Sequence, residues 1–157
     1  MSKANEDIVS KYLLSFGTSS EEDMNIYRTF LAEDVQYFSG TTMIRSREDV
    51  VAFSRRAVDG LGLNSWRAEI LNISSADDNV MVERIDYQIN NEGEEILPTP
   101  IMGIFKVRDG KIAEWRDYWD VRPMLEYGAK YRAAKGVSGS WGDAAGAAAA
   151  AAAAAKS

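Results

Sequence analysis

The apolar periodicity of this chain changes once, from the helical period to the strand period, and the change falls after Gly62. Ile8, Tyr12, Leu13 and Phe16 recur at helical spacing, and Gly17 stops that helix. Ser19 or Ser20 caps the next one, with Glu21, Glu22 and Asp23 in its first turn, where carboxylates complement the helix dipole. Met24, Tyr27, Phe30 and Leu31 form its apolar stripe. A short strand at residues 35–38 precedes a third helix. That helix begins at Ser46, buries Val50, Val51, Phe53, Ala57 and Val58, and ends at Gly60 and Gly62. Residues 66–74 then alternate loosely. Strands follow at 80–89, 101–107 and 111–121, with turns at Asn91-Glu92-Gly93 and Arg108-Asp109-Gly110-Lys111. A short helix after Pro123, carrying Leu125 and Tyr127, closes the domain. Helices gathered first and long antiparallel strands second predict an α+β domain whose helices pack on one face of a curved sheet. Such a cone has an interior, which is a usual place for a small-molecule site.

Strand alternation then locates polar groups inside that interior. Val80, Val82, Arg84, Asp86 and Gln88 share one face of their strand. On the last strand Ala113, Trp115, Asp117, Trp119 and Val121 share a face, and Glu114, Arg116, Tyr118 and Asp120 take the other. Asp117 is therefore a lone carboxylate between two tryptophans, a costly position unless it is paired. Arg84 is the obvious partner, and Asp86, one pleat away, is a second acid for the same guanidinium. An arginine stays charged, and its planar fork can hold two carboxylates in register. Two neighbouring carboxylates resist ionising together, so the pair can carry one acid and one base near neutral pH. On spacing alone, a buried ion network that only orders the core is an equal reading. Tyr37 reads as a core aromatic or as a water ligand, and Ser39 shares its face. Trp66, Ile101, Met102, Trp115 and Trp119 are core by default.

Absent residue types narrow the chemistry. The sequence has no histidine and no cysteine. That removes imidazole bases, thiol nucleophiles, disulfides and His or Cys metal sites. Proton transfer must fall to Asp, Glu, Tyr, Lys or bound water. The net charge of −6, from 24 acidic and 18 basic residues, disfavours a nucleic-acid partner. No apolar run other than the alanine-rich tail approaches a membrane span, and the N-terminus does not read as a signal peptide. A cytoplasmic protein with no membrane partner is the expectation.

Residues 1–135 are expected to form the single domain. Residues 136–157, rich in Gly, Ser and Ala, read as a disordered extension, a cloning remnant or a docking helix.

The segments Glu83-Arg84-Ile85-Asp86, Ile101-Met102-Gly103-Ile104-Phe105 and the run Gly110-Lys111-Ile112-Ala113-Glu114-Trp115-Arg116-Asp117-Tyr118-Trp119-Asp120 resemble the limonene-1,2-epoxide hydrolase family. Ala32-Glu33-Asp34 leading into Tyr37 is similar as well. That family lies within the nuclear transport factor 2-like and SnoaL-like superfamily, which also holds ketosteroid isomerase. The resemblance implies a cone-shaped curved mixed sheet with the N-terminal helices across it. It implies Asp117 as the base that activates water, Asp86 as the acid that protonates the epoxide oxygen, Arg84 as the bridge between them and Tyr37 as a holder of the water. It implies no metal, no cofactor and a homodimer through the convex sheet face, to which Glu114, Arg116 and Tyr118 contribute. Ser39 stands where the family pattern has an asparagine water ligand. Gln88 stands where an apolar residue is usual, which points to a substrate more polar than a terpene epoxide. Gln88, Ile101, Trp115, Trp119 and Phe53 are the expected substrate contacts.

The leading expectation is a cofactor-independent epoxide hydrolase that adds water to a small apolar or moderately polar epoxide. An isomerase, cyclase or dehydratase using the same Asp/Tyr site is the second reading, and a non-catalytic ligand-binding module is the third.

Overall fold

Serine caps set the helix starts. The computed structural model describes residues 2–136, so the alanine run of the expected tail lies outside the described residues. Helix α1 (Lys3–Leu14), α2 (Ser20–Phe30) and α3 (Arg47–Leu61) begin after Ser2, Ser19 and Ser46. Each serine hydroxyl accepts a backbone N–H from the first turn, so Ser19 rather than Ser20 is the second cap. Helix α1 ends before Gly17, which lies two residues past the Ser15 cap at φ +119°. Helix α3 ends on Gly62, whose left-handed φ of +63° only glycine adopts without strain. A Cβ there would also lie 2.3 Å from the Tyr131 ring of helix α4 (Arg122–Lys135).

The strands are β1 (Leu31–Phe38), β2 (Met43–Ile44), β3 (Leu63–Ala76), β4 (Asn79–Asn90), β5 (Glu95–Arg108) and β6 (Lys111–Tyr118). They form one mixed sheet in the order β2-β1-β6-β5-β4-β3, in which β1 runs parallel to β6 and every other pairing is antiparallel. The sheet is curled and unclosed, and helices α1, α2 and α3 pack against it, as the switch of period predicts. Val9, Tyr12 and Leu13 of α1, Met24 and Tyr27 of α2, and Val50 and Phe53 of α3 share one buried cluster with Val80, Val82, Phe105 and Trp115 of the sheet. Among the described residues no helix is long and apolar enough to cross a membrane.

Several boundaries depart from the sequence expectation, the closing helix among them: it is not short and does not start after Pro123, but runs 14 residues as Arg122–Lys135. Leu31 is not the end of the α2 stripe but the first residue of β1, with ψ at 142° while its N–H still bonds the Tyr27 carbonyl. Helix passes to strand without a loop, so periodicity could not separate them. Strand β5 begins at Glu95 rather than 101, and a bulge between Ile96 and Thr99, with Leu97 at φ +52°, admits Pro98. Strand β6 stops at Tyr118, short of 121. Asp120 there turns back to accept from the backbone N–H and guanidinium of Arg122, which starts α4.

Candidate active site

Arg84 is the largest side chain with almost no exposure, at 1%. It leaves β4 on the concave face and lies across β5 toward β6. Its Nε and Nη2 donate to the two oxygens of Asp86 at 2.9 and 3.1 Å. Its Nη1 and Nη2 donate to the two oxygens of Asp117 at 3.0 and 2.8 Å. Both forks are bidentate, so one planar group fixes both acids. Asp86 is 6% and Asp117 3% exposed.

The span across β5 depends on a residue that has no side chain. Gly103 faces Asp117 on β6 and Val82 on β4, while Arg84 faces Ile101 two residues away. A Cβ at Gly103 would lie 2.5 Å from Arg84 Nη1 and 3.0 Å from Asp117 Oδ1. No larger residue leaves room for the guanidinium. A glycine inside a strand often marks such close approach, and that signal was present in the sequence but unassigned.

The electrostatics of the two acids follow from burial. Desolvation pushes the Asp86 carboxyl up to about 6, against the pull of Arg84 and its hydrogen bonds and with a smaller push from the Asp117 charge. Burial works against the Arg84 charge, but Asp117 and Asp86 together raise it above its ordinary value. Tyr37 is raised well above the usual phenol range by burial and then by the Asp117 charge, so it remains a neutral donor. Its ring stacks on Trp115 at 3.9 Å and 17°.

An open-mouthed cavity enclosing about 880 Å³ of non-protein space, part of it continuous with solvent, collects these groups. Nine of the ten residues expected from the sequence line it: Tyr37, Ser39, Phe53, Asp86, Gln88, Ile101, Trp115, Asp117 and Trp119. Arg84, the tenth, lies behind the two carboxylates and reaches the cavity only through them. Val80 and Val82 share its strand face and pack into the core below. The rest of the lining is mainly apolar, with Met24, Ala57, Val58, Leu61, Leu63, Trp66 and Met124.

Ser39 lies one residue past β1. Its hydroxyl donates to the Thr42 carbonyl and accepts from the Thr42 N–H, each at 3.3 Å, so it closes the 39–42 turn. A hydroxyl oxygen has two lone pairs, of which the Thr42 N–H takes one, and Ser39 lines the cavity. Trp119 Nε1 donates to the Ser39 carbonyl at 2.8 Å and anchors the same turn. Gly40 lies beneath that indole at φ +91°, where a Cβ would come within 2.6 Å of Nε1.

Sequence reasoning did not place Asp23, Tyr27, Ser54, Ser65 or Thr99 at the site, yet all five line the cavity. Asp23, expected only as one of three first-turn acids of α2, is 2% exposed and borders the cavity. The signal was its spacing: Asp23 precedes Tyr27 by four residues and so continues the buried stripe. Among the described residues no group of three or more acidic side chains converges as a metal site would require.

A family model described as the limonene-1,2-epoxide hydrolase catalytic domain matches residues 6–130. A solved structure of an LEH-like epoxide hydrolase from M. tuberculosis is 26% identical, with 83% of this chain and 93% of that one covered and a TM-score of 0.61. A protein of ketosteroid isomerase-like fold from Catenulispora acidiphila is 18% identical over 78% of this chain and 92% of its own, at a TM-score of 0.62. An NTF2-like protein from Burkholderia pseudomallei is 16% identical over 81% of this chain and 98% of its own, at 0.61. The latter two likenesses show the fold alone.

Proposed function

The chain belongs to the limonene-1,2-epoxide hydrolase family, and from that premise we propose that it hydrolyses an epoxide to a vicinal diol in one step, with Asp117 and Asp86 as base and acid. The observation that carries the reading is the pair of acids held bidentately by one buried arginine at the wall of an apolar cavity. Asp117 takes a proton from water, and the water oxygen attacks one epoxide carbon. The carbon–oxygen bond breaks, and Asp86 gives its proton to the departing oxygen. The product carries both hydroxyls. Asp117 is left protonated and Asp86 ionised, and exchange with solvent restores the pair. No group on the protein forms a bond to carbon.

The burial that raises Asp86 supports its role, because an acid near 6 retains a proton in part at neutral pH and still donates readily. Arg84 is a positioning residue: it stays charged and holds both carboxyls without touching substrate. Tyr37 and Ser39 hold the water, Tyr37 by donating its hydroxyl proton and Ser39 by accepting one of the water's. A serine is shorter than an asparagine and offers no amide, so its hold is the weaker part of the site. Phe53, Ile101, Trp115 and Trp119 pack on the carbon skeleton, and Gln88 offers an amide beside Asp86.

Met102 is not core as expected: it alternates with the buried Ile101 and, with Tyr118, forms an exposed cross-strand pair on the convex face of β5 and β6, at 46% and 49% exposure. We assign that surface to a homodimer, with Glu114 and Arg116 at its margin.

A panel of epoxides with chiral analysis of the products tests the function. Diol formation by the wild type and its loss in Asp86→Asn and Asp117→Asn, with the melting transition retained, supports hydrolysis. An isomerase or cyclase of the same fold would give no diol and would exchange a proton next to a substrate carbonyl.

A further inference from the structure

The cavity has a second polar end, formed from elements other than those that carry the two acids. Asp23 of α2 receives the Ser65 hydroxyl of β3, whose oxygen lies 2.9 Å from both carboxyl oxygens. The Gly17 N–H donates to that same Ser65 oxygen at 3.1 Å, and also reaches the carboxyl. Beside them Trp66 Nε1 donates to the Tyr27 hydroxyl at 3.4 Å, and Tyr27 in turn meets Ser54. Asp23, Ser65, Tyr27 and Ser54 all border the cavity.

Both Asp23 carboxyl oxygens are hydrogen-bonded, but only through one hydroxyl and the Gly17 N–H. Ser65 supplies a single proton to a carboxyl that offers about four acceptor positions. Desolvation raises Asp23 to about 7, so at neutral pH the group also carries a proton of its own for part of the time. A buried polar group with spare capacity on a cavity wall calls for a ligand group that both donates and accepts. Strand geometry gives the spacing of the backbone positions behind the two polar ends. Ala68 is opposite Asp86, and Ser65 lies three residues along β3 from Ala68, which is about 10 Å at the usual rise. The wall between is lined by Trp66 and, from α3 and β3, Leu61 and Leu63.

We propose that Asp23, backed by Ser65, is a specificity subsite for a hydroxyl group on the substrate, so that the natural epoxide carries a hydroxyl across its carbon skeleton from the ring oxygen. This deepens the hydrolase reading and rests on it. Asp23 takes no part in the reaction; it selects and orients the substrate through a hydrogen bond made in the ground state and kept in the transition state.

The test compares two probes, the epoxide of a para-isopropylcyclohexene and the same epoxide with a hydroxyl on the isopropyl carbon. The wild type is expected to favour the hydroxylated probe by about tenfold in kcat/KM, the worth of one net hydrogen bond. Asp23→Leu should erase that ratio, and Asp23→Asn should keep it, because an amide both donates and accepts. A residue that only ties α2 to β3 would change the melting temperature and leave the ratio where it was. Parity in the wild type, or a preference that survives in Asp23→Leu, overturns the proposal. If Asp23→Leu shows no cooperative melt, Asp23→Ala, which adds no bulk beside Tyr27, reads the same ratio. If neither probe is turned over, titration calorimetry with para-isopropylcyclohexane and its tertiary alcohol separates the two claims. Tighter binding of the alcohol that depends on Asp23 upholds the subsite while the hydrolase reading fails. Equal binding overturns the subsite as well.

Discussion

At the residue scale the site is one guanidinium and the space it needs. Removing Arg84 leaves two buried carboxylates facing each other without a counter-charge, which costs about 3–5 kcal/mol. Arg84→Met is therefore expected to lower the melting temperature sharply, and Arg84→Lys to restore little, because an ammonium cannot grip two carboxylates bidentately. Gly103→Ala tests the same geometry from the other side. Its Cβ would meet Arg84 Nη1 at 2.5 Å, and overpacking of this kind costs roughly 1–3 kcal/mol. Turnover should fall further than that stability loss explains, since the displaced atoms hold both acids. Wild-type turnover with a retained melting temperature in Gly103→Ala would contradict the placement.

At the element scale, the sequence made the concave strand faces plain and hid much of what meets them. Period-two alternation put Arg84 and Asp86 on one face and Asp117 between Trp115 and Trp119, and the structure brings them together as hydrogen-bonded pairs. Alternation names a face but not a register, so it could not show that Gly103 lies opposite Asp117. It also stopped where backbones become irregular. The bulge at Leu97, the direct passage from α2 into β1 and the Asp120–Arg122 turn are tertiary solutions with no periodic mark. Asp23 was obscured for a related reason: acidic first-turn residues are common in solvated helix starts, and only the sheet packed against α2 makes this one internal. The 39–42 turn is where elements act on chemistry. Trp119→Phe removes the indole N–H from the Ser39 carbonyl and should lower kcat several-fold while the melting temperature shifts little, because Ser39 loses its anchor rather than the fold its core. Parallel kinetics and thermal melts check this.

For the whole molecule, two buried acids make stability depend on pH in an unusual direction. Asp86 and Asp23 are raised to about 6 and about 7 from an ordinary value of 3.8. Between pH 4 and 7 the folded chain therefore binds more protons at these sites than the unfolded chain. Their contribution to stability is full below about pH 4 and is lost as pH rises through 6 and 7. Thermal melts at constant ionic strength should show this loss, and Asp23→Asn should remove the part that belongs to the upper step. The same titration affects catalysis, since Asp86 must hold its proton to act as the acid. The value of kcat/KM is expected to decline as pH rises above about 6. The proposed dimer is tested on the whole molecule: the wild type should sediment as a dimer in sedimentation velocity and Met102→Glu as a monomer.

The central claim is direct attack by water without a bond between protein and substrate. A single turnover in oxygen-18 water, with enzyme in excess over epoxide, tests it most directly. Mass spectrometry of product and of peptides that contain Asp86 and Asp117 should find one labelled oxygen in every diol and none in either carboxylate. Unlabelled diol from that first turnover, with label appearing in a carboxylate, would mean that an aspartate attacks carbon and would contradict the account.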